Sequence, residues 1–323
     1  MRSMRVLLTG STGFLGSYVA EELVARGHEV TALVRPASDH WRLADVRFLL
    51  HKIEGDMNAV RLLQPKLCEL NIEAVIHLAW QGVRNSEHNS PRQAANVAAT
   101  VEIAELAAGI GASVFIGSGS QAEYGPYDRA IREDDAPRPT TLYGEAKLAA
   151  GGKAARIAAA AGIRFAWLRV FSTYGPRDND YWLVPSLIRE LKSGRRMKLT
   201  ACEQHWGFLH ARDAAAGYRT VLEAPSASGV FNLGSADAPP LRETVTKLRD
   251  MVDPSGELGF GDIPYRPDQI MVLAADTTRL ESLGWRPAVD LADGLRETVA
   301  WMSQSKPPRR LRDCETERAP PNI

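Results

Sequence analysis

Tyr143 and Lys147 stand four residues apart, in Tyr143-Gly-Glu-Ala-Lys147, on a stretch whose pattern predicts a helix over 140–161. Residues at that spacing share one helical face, so the ammonium can reach beneath the phenol. A free phenol titrates at about pH 10, and a neighbouring cation lowers that value toward working pH. Such a pair can act as a general acid/base that interconverts an alcohol and a carbonyl. A tyrosine and a lysine four apart are common in proteins, and position gives this pair its meaning. One helix earlier, Ser118-Gly119-Ser120 closes a predicted strand. A hydroxyl there would hydrogen-bond the reacting oxygen alongside the tyrosine.

A second constellation opens the chain. Gly10-Ser-Thr-Gly13-Phe-Leu-Gly16 lies between a predicted strand at 5–9 and a predicted helix at 14–26. Glycines at this junction permit a tight turn and let a pyrophosphate rest on the helix N-terminus. The spacing is GxxGxxG rather than the commoner GxGxxG. The next strand ends at Val34-Arg35, where an NAD-selective site usually places a carboxylate for the ribose 2′-hydroxyl. Arg35 would instead pair with a 2′-phosphate, which favours NADP(H), while Asp39 nearby keeps NAD(H) open. Asp56, after the third strand, is placed either to hold the adenine edge or simply to cap a helix.

The elements that must position these residues alternate. Strands are predicted at 5–9, 29–34, 46–50, 74–79, 113–117 and 165–170, with helices at 14–26, 57–70, 91–108 and 140–161. This order predicts an α/β, Rossmann-like, doubly wound parallel sheet. Beyond Gly175, prolines and glycines punctuate short segments, as in a smaller C-terminal substrate-binding lobe over the sheet's carboxyl edge. The expected organisation is a cofactor domain at 1–175, to which later strands can return, and a substrate lobe at 176–304. A final amphipathic helix is expected over 291–302. The Pro- and charge-rich segment 305–323 reads as a disordered tail.

Composition removes other classes. Among 323 residues, 39 Lys and Arg balance 39 Asp and Glu, which argues against a nucleic-acid or membrane-surface binder. Cys68, Cys202 and Cys314 show no paired spacing, so a reducing, cytoplasmic setting is expected. No apolar run approaches a membrane span. Cys202, His205 and His210 match no zinc spacing, and no metal is expected. His28, His40, His51 and His88 lie in polar surroundings and read as surface residues.

Further motifs follow in order: Gly55-Asp56-Met57, His77-Leu-Ala79, Asn96-Val97 with Thr100, and Leu168-Arg-Val-Phe-Ser-Thr-Tyr-Gly-Pro176. Phe208-Leu-His210 with Asp213, Arg266-Pro267 and Leu283-Gly-Trp-Arg-Pro287 complete the series. With the glycine loop and the Tyr/Lys pair, the chain from Thr9 to about Met302 resembles the extended short-chain dehydrogenases/reductases of the NAD-dependent epimerase/dehydratase group. The resemblance implies that Gly10, Gly13, Phe14 and Leu15 line the pyrophosphate, and Asp56 and Met57 the adenine. Leu78 and Ala79 would back the ribose and nicotinamide. Tyr143 is then the acid/base, Lys147 holds the ribose hydroxyls, and Ser120 orients the substrate oxygen. His77 and Asn96 are expected to be structural. Ser120, Ser172, Trp182, Trp206 and Arg266 would contact the substrate.

Departures from the family pattern narrow the activity. Gln121-Ala122 occupies the place where the dehydratases carry an acid, and Glu123 is one place off. The reductases that invert two ring carbons use a cysteine where Ala122 stands. Trp206 replaces one of two diphosphate-gripping arginines, and Ser172 replaces an asparagine. Redox chemistry at C4 of a nucleotide-linked sugar remains. The leading expectation is an NADP(H)-dependent 4-ketoreductase of deoxysugar biosynthesis. The alternative is a nucleotide-sugar 4-epimerase with tightly bound NAD. A reductase of a non-nucleotide ketone and a non-catalytic dinucleotide sensor complete the range. The resemblance also implies a homodimer packed through the helices at 91–108 and 140–161.

Overall fold

A computed structural model describes residues 2–266 and 269–304; the expected disordered tail at 305–323 lies outside the described residues. Six strands come first: β1 (Arg5–Thr9), β2 (Glu29–Val34), β3 (His51–Glu54), β4 (Ala74–His77), β5 (Val114–Ser120) and β6 (Arg164–Val170). Four helices are threaded among them: α1 (Phe14–Ala25), α2 (Gln64–Glu69), α3 (Gln93–Gly109) and α4 (Leu142–Ala160). Later come β7 (Ser172–Tyr174), β8 (Met197–Lys198), β9 (His205–Trp206), β10 (Phe208–His210), β11 (Gly229–Leu233), β12 (Leu258–Gly259) and β13 (Val272–Leu273). The later helices are α5 (Leu183–Lys192), α6 (Ala211–Glu223), α7 (Leu241–Val252), α8 (Thr278–Glu281) and α9 (Leu291–Gln304).

Seven strands form one sheet in the order β11-β6-β5-β4-β1-β2-β3, every pairing parallel. The expected doubly wound α/β fold is therefore present. Period-two alternation builds its two faces. Val6 and Leu8 of β1 join a cluster with Tyr18 and Leu23 of α1 and Tyr218 of α6. Leu7 between them faces the other way, with Ile103 of α3 and Ala154 of α4. A third core, built on Leu187, Trp206, Leu241 and Leu295, belongs to the segments that lie beyond the sheet. The strand order reverses between β4 and β1, the place where open α/β sheets bind ligands.

Two expectations need correction. Residues 46–50 are a run of turns, and the strand follows at His51–Glu54. The apolar run misled because Val46 and Leu50 enter the core while Phe48 is 84% exposed. The edge strand itself buries only Ile53, so it carries almost no hydrophobic signal. The helix at 57–70 is broken: Met57–Leu63 is 3-10 with a kink at Ala59, and α2 starts afresh with Pro65 in its first turn. Beyond residue 175 the chain returns to the sheet, as the sequence left open: β11 pairs with β6, and α6 packs beside α1.

Candidate active site

The glycine loop is shaped by close approach. Gly10, at the end of β1, has φ 77°, and a Cβ there would sit 2.7 Å from the Ala79 backbone nitrogen. The loop thus lies directly on Leu78-Ala79 at the end of β4. Gly16 presses its own helix against the loop, since a Cβ would fall 2.1 Å from the Gly10 carbonyl oxygen. Gly13 is the N-cap of α1, and no side chain caps it. The helix therefore presents unsatisfied first-turn N–H groups at the carboxyl edge of the sheet, an arrangement suited to an anion. Ser11 adds a buried hydroxyl with no hydrogen-bond partner. These features fit the pyrophosphate of a dinucleotide. Phe14 and Leu15 pack against the core behind the loop.

Around this loop the other expected cofactor residues take mixed positions. Arg35 is exposed just past β2, at the same sheet edge, because Leu33 pairs with Thr9. The Asp39 carboxylate accepts the Trp41 backbone N–H at 3.0 Å. Asp56 is a helix cap, its Oδ1 accepting the Asn58 N–H at 2.9 Å, and Met57 is buried beside Val60. His77 lies in the core with Nδ1 2.7 Å from the Thr9 hydroxyl and Nε2 3.1 Å from that of Thr100. Burial lowers its pKa to about 3. Asn96 bonds both backbone polar groups of Gln81. His77 and Asn96 thus brace the strand end and the loop that follows it.

Ser120, Tyr143 and Lys147 converge at the end of β5. The Ser120 hydroxyl lies close enough to the Tyr143 phenol to favour its ionised form, and accepts the Ala122 N–H at 3.2 Å. Thr141 caps α4 by accepting the Gly144 N–H, which sets where the helix begins and so where Tyr143 stands. Lys147 is 3% exposed and donates from Nζ to the Ser118 carbonyl at 2.7 Å. Its Nζ lies 3.8 Å from the centre of the Trp80 ring and 5.8 Å from that of Tyr143.

Burial acts on both members of the pair. It pushes Tyr143 up to about 12, opposed by the Ser120 hydroxyl, and brings Lys147 down to about 7, opposed by the Glu123 carboxylate. Desolvation disfavours the charged form of each group.

Glu123 lies against this cluster with its carboxylate fully engaged. It is 1% exposed, accepting from the Ser120 N–H and the Trp167 indole at 2.9 Å each, and from Arg169 Nε at 2.7 Å. Sequence reasoning missed two other neighbours. Trp80 meets the Tyr143 ring edge-on, and His88 stacks flat upon it. His88 is half-buried there, and the expectation that His28 is a surface residue is wrong. His28 is 5% exposed, bonded to the Met4 N–H and to Glu223. Proximity in sequence to polar residues carried no information about either.

On the far side, Ser172, Trp182 and Trp206 do come together. With Thr173, Asp178 and Phe208 they line a cavity of about 70 Å³, one subsite rather than a whole ligand pocket. Asp178 was not anticipated; burial raises its carboxyl to about 8, against the opposing effects of the Asn179 N–H and Arg42. Arg266 is exposed outside that cavity and acts electrostatically on His88 instead. Among the described residues no cluster of three or more His, Cys, Asp and Glu is poised to hold a metal, and no helix is long and apolar enough to cross a membrane.

Comparison with known proteins agrees with this geometry. The NAD dependent epimerase/dehydratase family matches residues 6–234. A UDP-glucose 4-epimerase of Corynebacterium glutamicum is 27% identical over 308 residues, covering 88% of this chain and 91% of that protein. A dTDP-glucose 4,6-dehydratase of Streptomyces griseus is 28% identical over 313 residues, 92% of this chain and 93% of that protein. Among solved structures, MoeE5 in complex with UDP-glucose and NAD superposes with a TM-score of 0.79 at 28% identity, covering 93% of this chain and 99% of that one.

Proposed function

The chain belongs to the NAD dependent epimerase/dehydratase family, and from that premise we propose that it is a nucleotide-sugar 4-epimerase working with a retained NAD. One observation carries the reading: the Ser120 hydroxyl and the Tyr143 phenol converge at the sheet edge, with the Glu123 carboxylate beside them taken up by the Ser120 N–H, Trp167 and Arg169. That site can exchange a proton with a sugar hydroxyl, and the carboxylate next to it is not free to expel water, which speaks against 4,6-dehydration. The 27% identical UDP-glucose 4-epimerase and the UDP-glucose and NAD held by MoeE5 support the same choice.

Tyr143 takes the C4 hydroxyl proton as that carbon is oxidised, and returns it once the keto sugar has turned its other face. Ser120 holds the oxygen through both transfers. When bound, the nicotinamide supplies the hydride exchange. The uncapped start of α1 and Gly10, Gly13, Phe14 and Leu15 seat the pyrophosphate. Leu78 and Ala79 back the ribose, Lys147 binds its hydroxyls, and Met57 packs beneath the adenine. Ser172, Trp182, Trp206 and Asp178 form a substrate subsite, with Arg266 contributing positive charge at the mouth. In this reading residues 1–175 with the returning segment 211–233 make the cofactor side, and the remainder to 304 the substrate side.

Arg35 favours a second reading, an NADPH-dependent 4-ketoreductase, since a cation stands where NAD-selective sites place a carboxylate. Two measurements on the purified protein separate them: the identity of the nucleotide released on denaturation, and NMR of UDP-glucose incubated with it. The epimerase reading expects retained NAD and a growing UDP-galactose signal without net consumption of reduced cofactor. Tyr143→Phe should keep the bound NAD and lose turnover by about 10²-fold or more. Stoichiometric NADPH oxidation with a 4-keto sugar nucleotide, and no epimer, would sustain the reductase instead.

A further inference from the structure

Tyr143 is held from outside its own helix. The loop between β4 and α3 crosses the start of α4, where the His88 carbonyl accepts the Tyr143 N–H at 2.8 Å and Asn89 Oδ1 accepts the Leu142 N–H at 3.2 Å. The His88 imidazole then lies flat on the phenol ring, with centroids 4.4 Å apart and planes 6° from parallel. Trp80 closes on the same ring edge-on, at 6.0 Å and 86°. The imidazole is itself fixed, Nε2 lying 3.1 Å from the Val83 carbonyl.

The loop has an internal brace. Gln93 is 2% exposed; its amide donates to the Gly82 and Glu87 carbonyls and accepts the Trp80 indole N–H at 2.9 Å. Asn96 holds Gln81 in the same way. The rings that touch Tyr143 therefore ride on a fastened segment. Whether the phenol hydroxyl meets Ser120 depends on where this one ring is held. A plane stacked against its face and a second ring against its edge restrict its displacement as a whole.

We infer that His88 is a positioning residue for the proton transfer, its stacked ring keeping the Tyr143 hydroxyl aimed at Ser120 and the reacting oxygen. This rests on the reading of Tyr143 as acid/base. Burial, with Arg266 adding to it, disfavours the protonated imidazole; the Val83 carbonyl and Glu87 oppose them. The result is a neutral aromatic plane, which a phenyl ring can mimic and an alanine cannot.

His88→Ala and His88→Phe test this, using UDP-glucose as probe and the protein with its retained NAD. His88→Ala should lose about 10²-fold in kcat, the scale on which a small misplacement is felt. Its KM should stay within about 3-fold, because an effect confined to kcat marks a group that acts only in the chemical step. His88→Phe should restore most of the turnover. Carbon-13 NMR of labelled tyrosine, with Tyr143 assigned by its loss in Tyr143→Phe, should show faster ring flipping in His88→Ala than in His88→Phe. Unchanged kcat in His88→Ala, or an equal loss in both variants, overturns the inference. If the wild type turns over no nucleotide sugar, the proposed function falls, and ring flipping alone decides the role of His88: equal rates overturn it.

Discussion

At the scale of single residues, the site is governed by desolvation more than by pairing. Lys147 is 3% exposed, and this burial disfavours its ammonium even though the Ser118 carbonyl and the Trp80 ring face it. Its native pKa of about 7 lies below its ordinary 10.5, so between those values the unfolded chain binds more protons than the native one. Stability contributed through this group therefore rises with pH across that window and is lost below it. Lys147→Met should flatten the pH dependence of the urea midpoint between about pH 7 and 10 relative to wild type. Parallel curves for the two proteins would show that the lysine is not desolvated as described. Types and spacing singled out Tyr143 and Lys147 in the sequence, the family resemblance singled out Ser120, and the fold brings the three together. Their protonation was not legible, because it depends on burial that only the packed molecule supplies. His88 escaped for the same reason: nothing in Ser86-Glu87-His88-Asn89-Ser90 signals that a distant tyrosine will cover the ring.

At the scale of elements, the glycine loop shows how close packing fixes a binding edge. The 2.1 Å approach of a Gly16 Cβ to the Gly10 carbonyl leaves backbone, not a flexible side chain, to give way. Gly16→Ala must push α1 off the loop, and overpacking of this kind costs about 1–3 kcal/mol. The expected result is a lower melting temperature together with weakened retention of NAD; an unchanged protein would show that α1 can slide without disturbing the loop. The strong apolar strands β1, β4 and β6 were readable within a few residues, because both their faces are buried. The edge strand β3 was not, since an element with a single inward side chain carries no period. The break inside 57–70 was hidden too, the kink at Ala59 belonging to a residue that favours helices.

At the scale of the molecule, α3 and α4 pack on each other beside the sheet and leave a small-residue face outside. Ala94 and Ala98 of α3, and Ala149 and Gly152 of α4, are exposed. We propose that this face meets a second copy, as the family resemblance implies, small side chains allowing the helices to approach closely. Light scattering should report twice the 35.4 kDa chain mass, and Ala98→Arg should reduce it to one. A wild-type monomer at micromolar concentration would remove the dimer. The even balance of charge keeps its force at this scale: the reading asks for individual basic residues, such as Arg266, rather than a basic surface.

The return of β11 to the sheet has a consequence for how the protein is made. Its partner β6 ends at Val170, and β11 arrives roughly sixty residues later, an interval of several seconds at about 5–20 residues per second. Throughout that interval the nascent sheet carries an open, apolar, hydrogen-bonding edge on the ribosome. A neighbouring chain on the same message can add to that edge before the proper strand emerges. Slowing translation between β6 and β11 should lengthen the exposure and lower the yield of soluble protein, while leaving the activity of each folded molecule unchanged.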